Sequence, residues 1–475
     1  TADGAGDWSF DYTGTTLAEG DYAFTATAIA PGANVSMASS ALNVTIDTSA
    51  PATPTIDLDA ASDSGSSDTD NVTGDATPSL SGTAEANASV EIFDGASSLG
   101  TVTADGSGNW SFTAGTLTDG AKALTAVATD AAGNSSAASA ALNVTIDTSA
   151  PATPTIDLDA ASDSGSSDTD NVTGDATPSL SGTAEANASV EIFDGSTSLG
   201  TVTADGSGNW SFTAGPLTDD AKALTAVATD AAGNSSAASA ALNVTIDTSA
   251  PTAPTIDLDA ASDSGSSNTD NVTNDATPSL SGTAEANASV EIFDGSTSLG
   301  TVTADGSGNW SFTAGPLTDD AKALTAVATD AAGNSSAASA ALNVTIDTSA
   351  PTAPTIDLDA ASDSGSSNTD NVTNDATPSL SGTAEANASV EIFDGATSLG
   401  TVTADGSGDW SFTAGTLTDG AKALTAVATD AAGNSSAAST VLNVTIDTAA
   451  PTAPTITGFT DDTGTTGDGI TGDTT

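Results

Sequence analysis

The chain contains no cysteine, no histidine and no arginine, and only four lysines stand against 63 aspartates and glutamates in 475 residues. Without cysteine there are no disulfides, no thiolate metal sites and no thiol nucleophile. Without histidine the usual general base, the usual zinc ligand and the Ser–His dyad are gone. Carboxylate-only chemistry such as glycoside hydrolysis survives that filter, while an aromatic content of only 4% argues mildly against a sugar-stacking cleft. A formal net charge of -59 excludes nucleic acid as a natural partner and disfavours anionic membrane surfaces. The longest apolar runs are a few residues long, so none is expected to span a bilayer.

What is present is repetition. Residues 51–150, 151–250, 251–350 and 351–450 are nearly identical blocks of 100. Residues 1–50 match the second half of a block, with Trp8 answering Trp110, and 451–475 match the opening of one. This reads as a window cut from a longer array: a partial repeat at 1–50, four whole ones, and a partial start at 451–475.

Within a block the dominant period is two, the strand signature. Ile56 and Leu58 alternate with Asp57 and Asp59. Further short strands are expected around Leu80, over Val90 to Phe93, over Leu99 to Thr103, through Trp110 and Phe112, through Leu124 to Ala128, and through Leu142 to Ile146. Asp94-Gly95, Asp105-Gly106 and Asp119-Gly120 mark turns between them. Seven short strands in about 100 residues predict an all-β chain, a tandem array of immunoglobulin-like seven-strand β-sandwiches forming an extended rod. Each core would be thin, and thirteen acids against one lysine in residues 51–150 would weaken it by self-repulsion.

The acids are not evenly spread. The stretch Asp57 to Asp75, DLDAASDSGSSDTDNVTGD, carries six of them in nineteen residues, and returns at Asp157, Asp257 and Asp357. If consecutive strands run alternately down and up, Asp63, Asp68, Asp70, Asp75, Asp94, Asp119 and Asp147 gather at one end of the sandwich. Glu85, Asp105 and Asp130 gather at the other. The linker from Asp147 to Thr155 is short and holds Pro151 and Pro154, so neighbouring ends must face each other.

Like charges so placed repel, whereas a divalent cation converts them into a site. Ca²⁺ takes six to eight oxygens in flexible geometry, Mg²⁺ demands a tighter octahedron, and transition metals prefer the missing His and Cys. The candidate ligands are Asp63, Asp70, Asp75 and Asp147 with Glu185 and Asp230 at one joint. At the next they are Asp163, Asp170, Asp175 and Asp247 with Glu285 and Asp330, and at the third Asp263, Asp270, Asp275 and Asp347 with Glu385 and Asp430. Asp57 and Asp59 read as strand-face charges. Beside this stands the plain reading that Asp-Gly turns and Asp/Ser loops are ordinary turn chemistry and that acidic surfaces confer solubility. DLDAASDSG lacks EF-hand spacing. In the partial block Ala30 replaces Asp130, so if Asp130 is a ligand the joint before that block is depleted.

The combination SDSGSSDTDNVTGDATPSLSGTAEA, GNWSF, AVATDAAGNSS and VTIDTSAP resembles the bacterial immunoglobulin-like repeats of giant RTX-type adhesins exported by type 1 secretion, over essentially the whole chain. The resemblance implies an extracellular, non-enzymatic stalk of a surface adhesin or biofilm protein, stiffened by calcium at its joints and projecting a distal binding domain. Its immediate partners would be neighbouring repeats of the same chain, with lateral self-association a further expectation. A looser similarity to cadherin ectodomains places Asp130 and Asp147 where those proteins clamp calcium. Two other classes stay open: a self-assembling filament or surface-layer subunit, and an accessory array of a secreted carbohydrate-active enzyme. Lys122 and its copies read as surface residues rather than isopeptide donors, and Trp110 as core.

Overall fold

The computed structural model describes residues 1–456, and the remainder of the 451–475 partial block lies outside the described residues. Among the described residues every regular element is a strand. The chain divides into two compact units, residues 1–249 and 250–475, each treated by itself.

The half-block supplies β1 (Gly20–Phe24) and β2 (Leu42–Ile46), an antiparallel pair. The first whole block supplies β3 (Asp57–Leu58), β4 (Val72–Thr73), β5 (Ser79–Thr83), β6 (Ser89–Asp94), β7 (Ser97–Thr103), β8 (Asn109–Thr113), β9 (Gly120–Thr129) and β10 (Leu142–Ile146). They form a three-stranded sheet, β3-β5-β8, and a five-stranded one, β4-β10-β9-β6-β7. The three following blocks repeat both sheets. The immunoglobulin-like sandwich expected from the alternation is therefore present.

One part of the expectation needs correction. The acidic stretch is not simply a loop after a strand: its last turn forms β4, which runs parallel to β10 and so belongs to the opposite sheet from β3. The strand count is eight. Val72 and Thr73 are the residues that allow the crossover, and Thr73 is fully buried. Its hydroxyl donates to the Ser62 carbonyl and accepts from the Asp75 amide at 3.0 Å, tying both ends of the acidic excursion together.

The core lies between the sheets. Leu80, Val90, Ile92, Leu124, Ala126 and Ala128 are wholly buried, and Trp110 is nearly so. Alternation along β6 and β9 sends those side chains inward, as the period of two requires. Trp110 pairs across the sheet with Gly82, where a side chain would overlap the Thr55 carbonyl and press on the indole. Glycine there is what lets the largest core side chain lie flat. Alanine fills the remaining layer, so the core is indeed thin. In the half-block, where no second sheet faces β1 and β2, Trp8, Phe10 and Leu42 are more than 60% exposed.

Candidate metal centre at the joint

The acidic excursion is held by its own hydrogen bonds. The Asp63 amide donates to the Asp59 carbonyl at 3.1 Å, and Asp63 Oδ2 accepts the Asn71 amide at 3.3 Å. Asn71 sits at φ 59°, the left-handed region that asparagine tolerates, which aims its N–H back across the loop. Asp75 accepts the Thr77 amide and hydroxyl at 2.8 and 3.0 Å and the Ser62 hydroxyl at 3.0 Å. Burial opposes ionisation of Asp75, but those three donors outweigh it and hold the carboxyl below its ordinary range. Asp70 is exposed and accepts the Val72 amide two residues on. Asp59, read from sequence as a strand-face charge, is half-buried and accepts the Ser81 hydroxyl.

Asp63 is the exception in this network. It is 5% exposed, and its Oδ1 is buried without a hydrogen-bond partner. The same holds for Asp163, Asp263 and Asp363. A buried acceptor left unpaired costs ~1–3 kcal/mol, and more when it carries charge. Its fourfold recurrence makes it a property of the repeat.

This loop docks on the next repeat. In the first unit the Ser66 amide donates to the Ala231 carbonyl and the Gly74 amide to the Ala232 carbonyl, both at 3.0 Å. Asn234 Nδ2 donates to the Asp147 carbonyl at 2.7 Å from the other side. The second unit repeats the arrangement, with Ser266 on Ala431 at 3.1 Å and Asn434 on Asp347 at 2.8 Å. The approach is close enough that a side chain at Gly65 would overlap the Ala231 carbonyl, and one at Gly233 the Ser64 carbonyl. Docking also buries the opposing acid. Asp230 is 5% exposed, whereas Asp130, which faces the half-block and so meets no acidic excursion, is only half-buried.

In the first unit Asp63 and Asp75 lie in the excursion that docks on the next repeat, where Asn234 bridges Asp230 Oδ2 and the Asp147 carbonyl. In the second unit Asp263 and Asp275 lie in the docking excursion, and Asn434 bridges Asp430 Oδ2 and the Asp347 carbonyl. The structure leaves Asp70, Asp270, Glu185 and Glu385 exposed. The middle set is divided between the units: Asp163, Asp170, Asp175 and Asp247 lie in one, Glu285 and Asp330 in the other. Among the described residues no three acidic side chains converge as a group able to hold a metal. Beside Asp63 in the sequence, the Ser62 carbonyl and the Ser64 and Thr73 hydroxyls are bonded to one another, so the excursion offers oxygen donors alone. That set and the unpartnered Asp63 Oδ1 fit a hard cation.

Sequence reading missed four features of the joint. Gly65 and Gly233 set the closeness of approach, Asn234 bridges to the linker, and Asp119 anchors it by accepting the Thr148 and Ser149 hydroxyls at 2.8 and 3.0 Å. Those hydroxyls keep the Asp119 carboxyl below its usual range. Glu19, the counterpart of Asp119, lines a cavity of about 370 Å³ with Asp21, Asp47 and Glu85 where the half-block meets the first whole one. The glycine and asparagine recur in every whole block, so the repetition carried a signal, though an unspecific one. Lys222, read as an ordinary surface residue, has its side chain mostly covered and lies 4.0 Å from Asp194, with the same pairing in the next two blocks.

The model of the bacterial Ig-like domain matches residues 50–148, 150–248, 250–348 and 350–448. The chain belongs to the bacterial Ig-like domain family. Its four whole repeats coincide with the four matched segments. Among curated proteins it is similar to Exoglucanase B of Cellulomonas fimi, 34% identical over 284 residues, covering 54% of this chain and 23% of that protein. The chain therefore spans less than a quarter of that relative's length. Among solved structures it is similar to a tetra-tandem repeat from the extending region of a large adhesion protein, 26% identical over 84% of this chain and all of the other, TM-score 0.33. A segment of a bacterial ice-binding adhesin matches at 20% identity over 62% of this chain and 98% of its own, TM-score 0.25.

Proposed function

We propose that the chain is a section of an extracellular spacer in a bacterial surface adhesin or biofilm protein, whose repeats are joined and stabilised by Ca²⁺. The observation that carries this reading is the unpartnered, buried Oδ1 of Asp63, recurring in every whole repeat, in a loop that docks on the following repeat within each unit. Asp63 with neighbouring carbonyl and hydroxyl oxygens would hold the ion, and Asp75 and Asp230 would add charge to its surroundings. When bound, calcium supplies positive charge that offsets the repulsion of the acids. The chain's own residues do the rest: Asn71 and Thr73 shape the loop, and Ser66, Gly74 and Asn234 latch it to the next repeat. In low calcium the acids repel across the joint, a state suited to export. At millimolar calcium each repeat gains stability by linkage.

Thermal melting and small-angle scattering in chelator and in calcium test this. Calcium is expected to raise the melting temperature and lengthen the largest dimension. Identical melts and identical scattering in both conditions would sink it.

The similarity to Exoglucanase B favours a second reading, in which such repeats serve as accessory modules beside a catalytic domain of a secreted enzyme. Sequence flanking this chain that encodes a glycoside hydrolase would select it.

A further inference from the structure

The clasp between repeats takes two forms, and the repeats differ in sequence at the same place. The first two whole blocks carry glycine near the end of the acidic excursion, Gly74 and Gly174, and the last two carry asparagine, Asn274 and Asn374. In the first unit the Gly74 amide donates across the joint to the Ala232 carbonyl at 3.0 Å. A side chain at 74 would lie 2.9 Å from Asn234 Oδ1 and 3.2 Å from that carbonyl, so glycine is what admits the bond. In the second unit the Asn274 amide turns into its own loop and donates to the Ser264 hydroxyl at 3.2 Å. That hydroxyl lies 2.6 Å from Asn274 Oδ1 and 3.4 Å from the Ala432 carbonyl, and its single proton favours the shorter contact. Asn374, which no whole repeat follows among the described residues, makes the same two bonds with Ser364 at 3.1 and 2.7 Å. The inward turn is therefore built into the asparagine loop. Glycine lacks the carboxamide that closes this pair: the Gly174 amide reaches Ser164 at a longer 3.3 Å, and the Gly74 amide goes to the neighbour instead. The rest of the joint is common to both units. Ser66 and Ser266 donate to Ala231 and Ala431, Asn234 and Asn434 hold the linker carbonyls, and Gly65 and Gly265 approach the facing loop equally closely.

We infer that the residue at this position grades the joint, so that the chain carries a firm clasp at Gly74 and a looser one at Asn274. Gly74 helps give the following repeat two backbone bonds. Asn274 leaves it one, and keeps its own amide and the serine hydroxyl for the loop. The asparagine excursion therefore releases its neighbour first, while the Asn434 latch still holds the linker. One backbone bond of ordinary worth makes the undocked state about fivefold more populated at the asparagine joint than at the glycine joint. The grading concerns docking alone and does not rest on the calcium reading.

The test uses the full chain, which has no cysteine of its own. Spin labels on Thr101→Cys and Thr201→Cys span the glycine joint, and labels on Thr301→Cys and Thr401→Cys span the asparagine joint. All four threonines are exposed and occupy the same place on β7 and its counterparts. Double electron–electron resonance, in chelator and in millimolar calcium, reads the distribution of distances across each joint. The glycine joint is expected to give the narrower distribution, with a fraction outside the docked peak about fivefold smaller. Gly74→Asn should broaden the first distribution to match the second, and Asn274→Gly should narrow the second to match the first. Both residues occur naturally at this position, so each exchange leaves a loop that the repeat already folds with. Equal distributions at the two joints in both conditions, or distributions that the exchanges leave unchanged, overturn the inference.

Discussion

Asp75 shows how a single carboxylate organises an acidic loop that has no base nearby. Its three donors, Thr77 N–H, Thr77 hydroxyl and Ser62 hydroxyl, all favour the ionised form, and Asp275 and Asp375 have the same partners. A carboxyl held below its unfolded value near ~3.9 contributes stability above that pH and loses it as pH falls through the folded value. With no histidine in the chain, the ordinary titration between pH 5 and 8 is absent. Stability is therefore expected to be flat from about pH 8 to 5 and to fall at more acid pH. Asparagine at 75, 275 and 375 can still accept the two Thr77 bonds on its single oxygen and donate its NH2 to the Ser62 oxygen, but cannot be protonated. Melting curves from pH 5 down to 2 should fall less steeply in that triple variant, and equal slopes would contradict the assignment.

At the scale of elements, the strands were readable because β6, β9 and β10 alternate cleanly, while β4 was not. Val72 and Thr73 sit among Asp70, Asn71, Gly74 and Asp75, and nothing in a two-residue run announces a switch of sheets. Only the buried Thr73 hydroxyl and the parallel pairing with Thr145 and Ile146 reveal it. The joint had a similar limit. Charge and linker length pointed to opposed acidic ends, yet the contacts that lock them are backbone hydrogen bonds admitted by glycine, which leave no mark on charge or hydropathy. Glu185 and Asp70, chosen for charge alone, stay exposed.

The glycine contacts make a direct prediction. Gly65→Ala would force the Ala231 carbonyl away and break the bonds from Ser66 and Gly74, two bonds worth about 1 kcal/mol each. Hydrogen exchange at those two amides should speed up by roughly 30-fold, with the core amides of β6 and β9 unchanged. Unchanged protection at Ser66 would mean that the joint is not latched this way.

The whole molecule combines a thin core, a charge of -59 and, in each whole repeat, one buried carboxylate with an orphaned oxygen, and the three bear on stability together. Replacing Asp63, Asp163, Asp263 and Asp363 by asparagine removes four buried charges and keeps the shape. If Asp63 only fills space, the change should act alike in every buffer. If it holds calcium, the effect changes sign. In chelator the variant should melt above the wild type, because a buried carboxylate with one unsatisfied oxygen, costing ~1–3 kcal/mol or more, is gone. In saturating calcium it should melt below, because the wild type gains about 2.7 kcal/mol per site at a hundredfold excess over its dissociation constant and the variant does not. The two melting curves must therefore cross as calcium is added. The crossing distinguishes a cation site from acidic solvation, since a loss of surface charge alone would raise the variant's stability at low salt and converge with the wild type at high salt, in sodium as well as in calcium. A variant that melts above the wild type at every calcium concentration would leave Asp63 a buried charge without a calcium role.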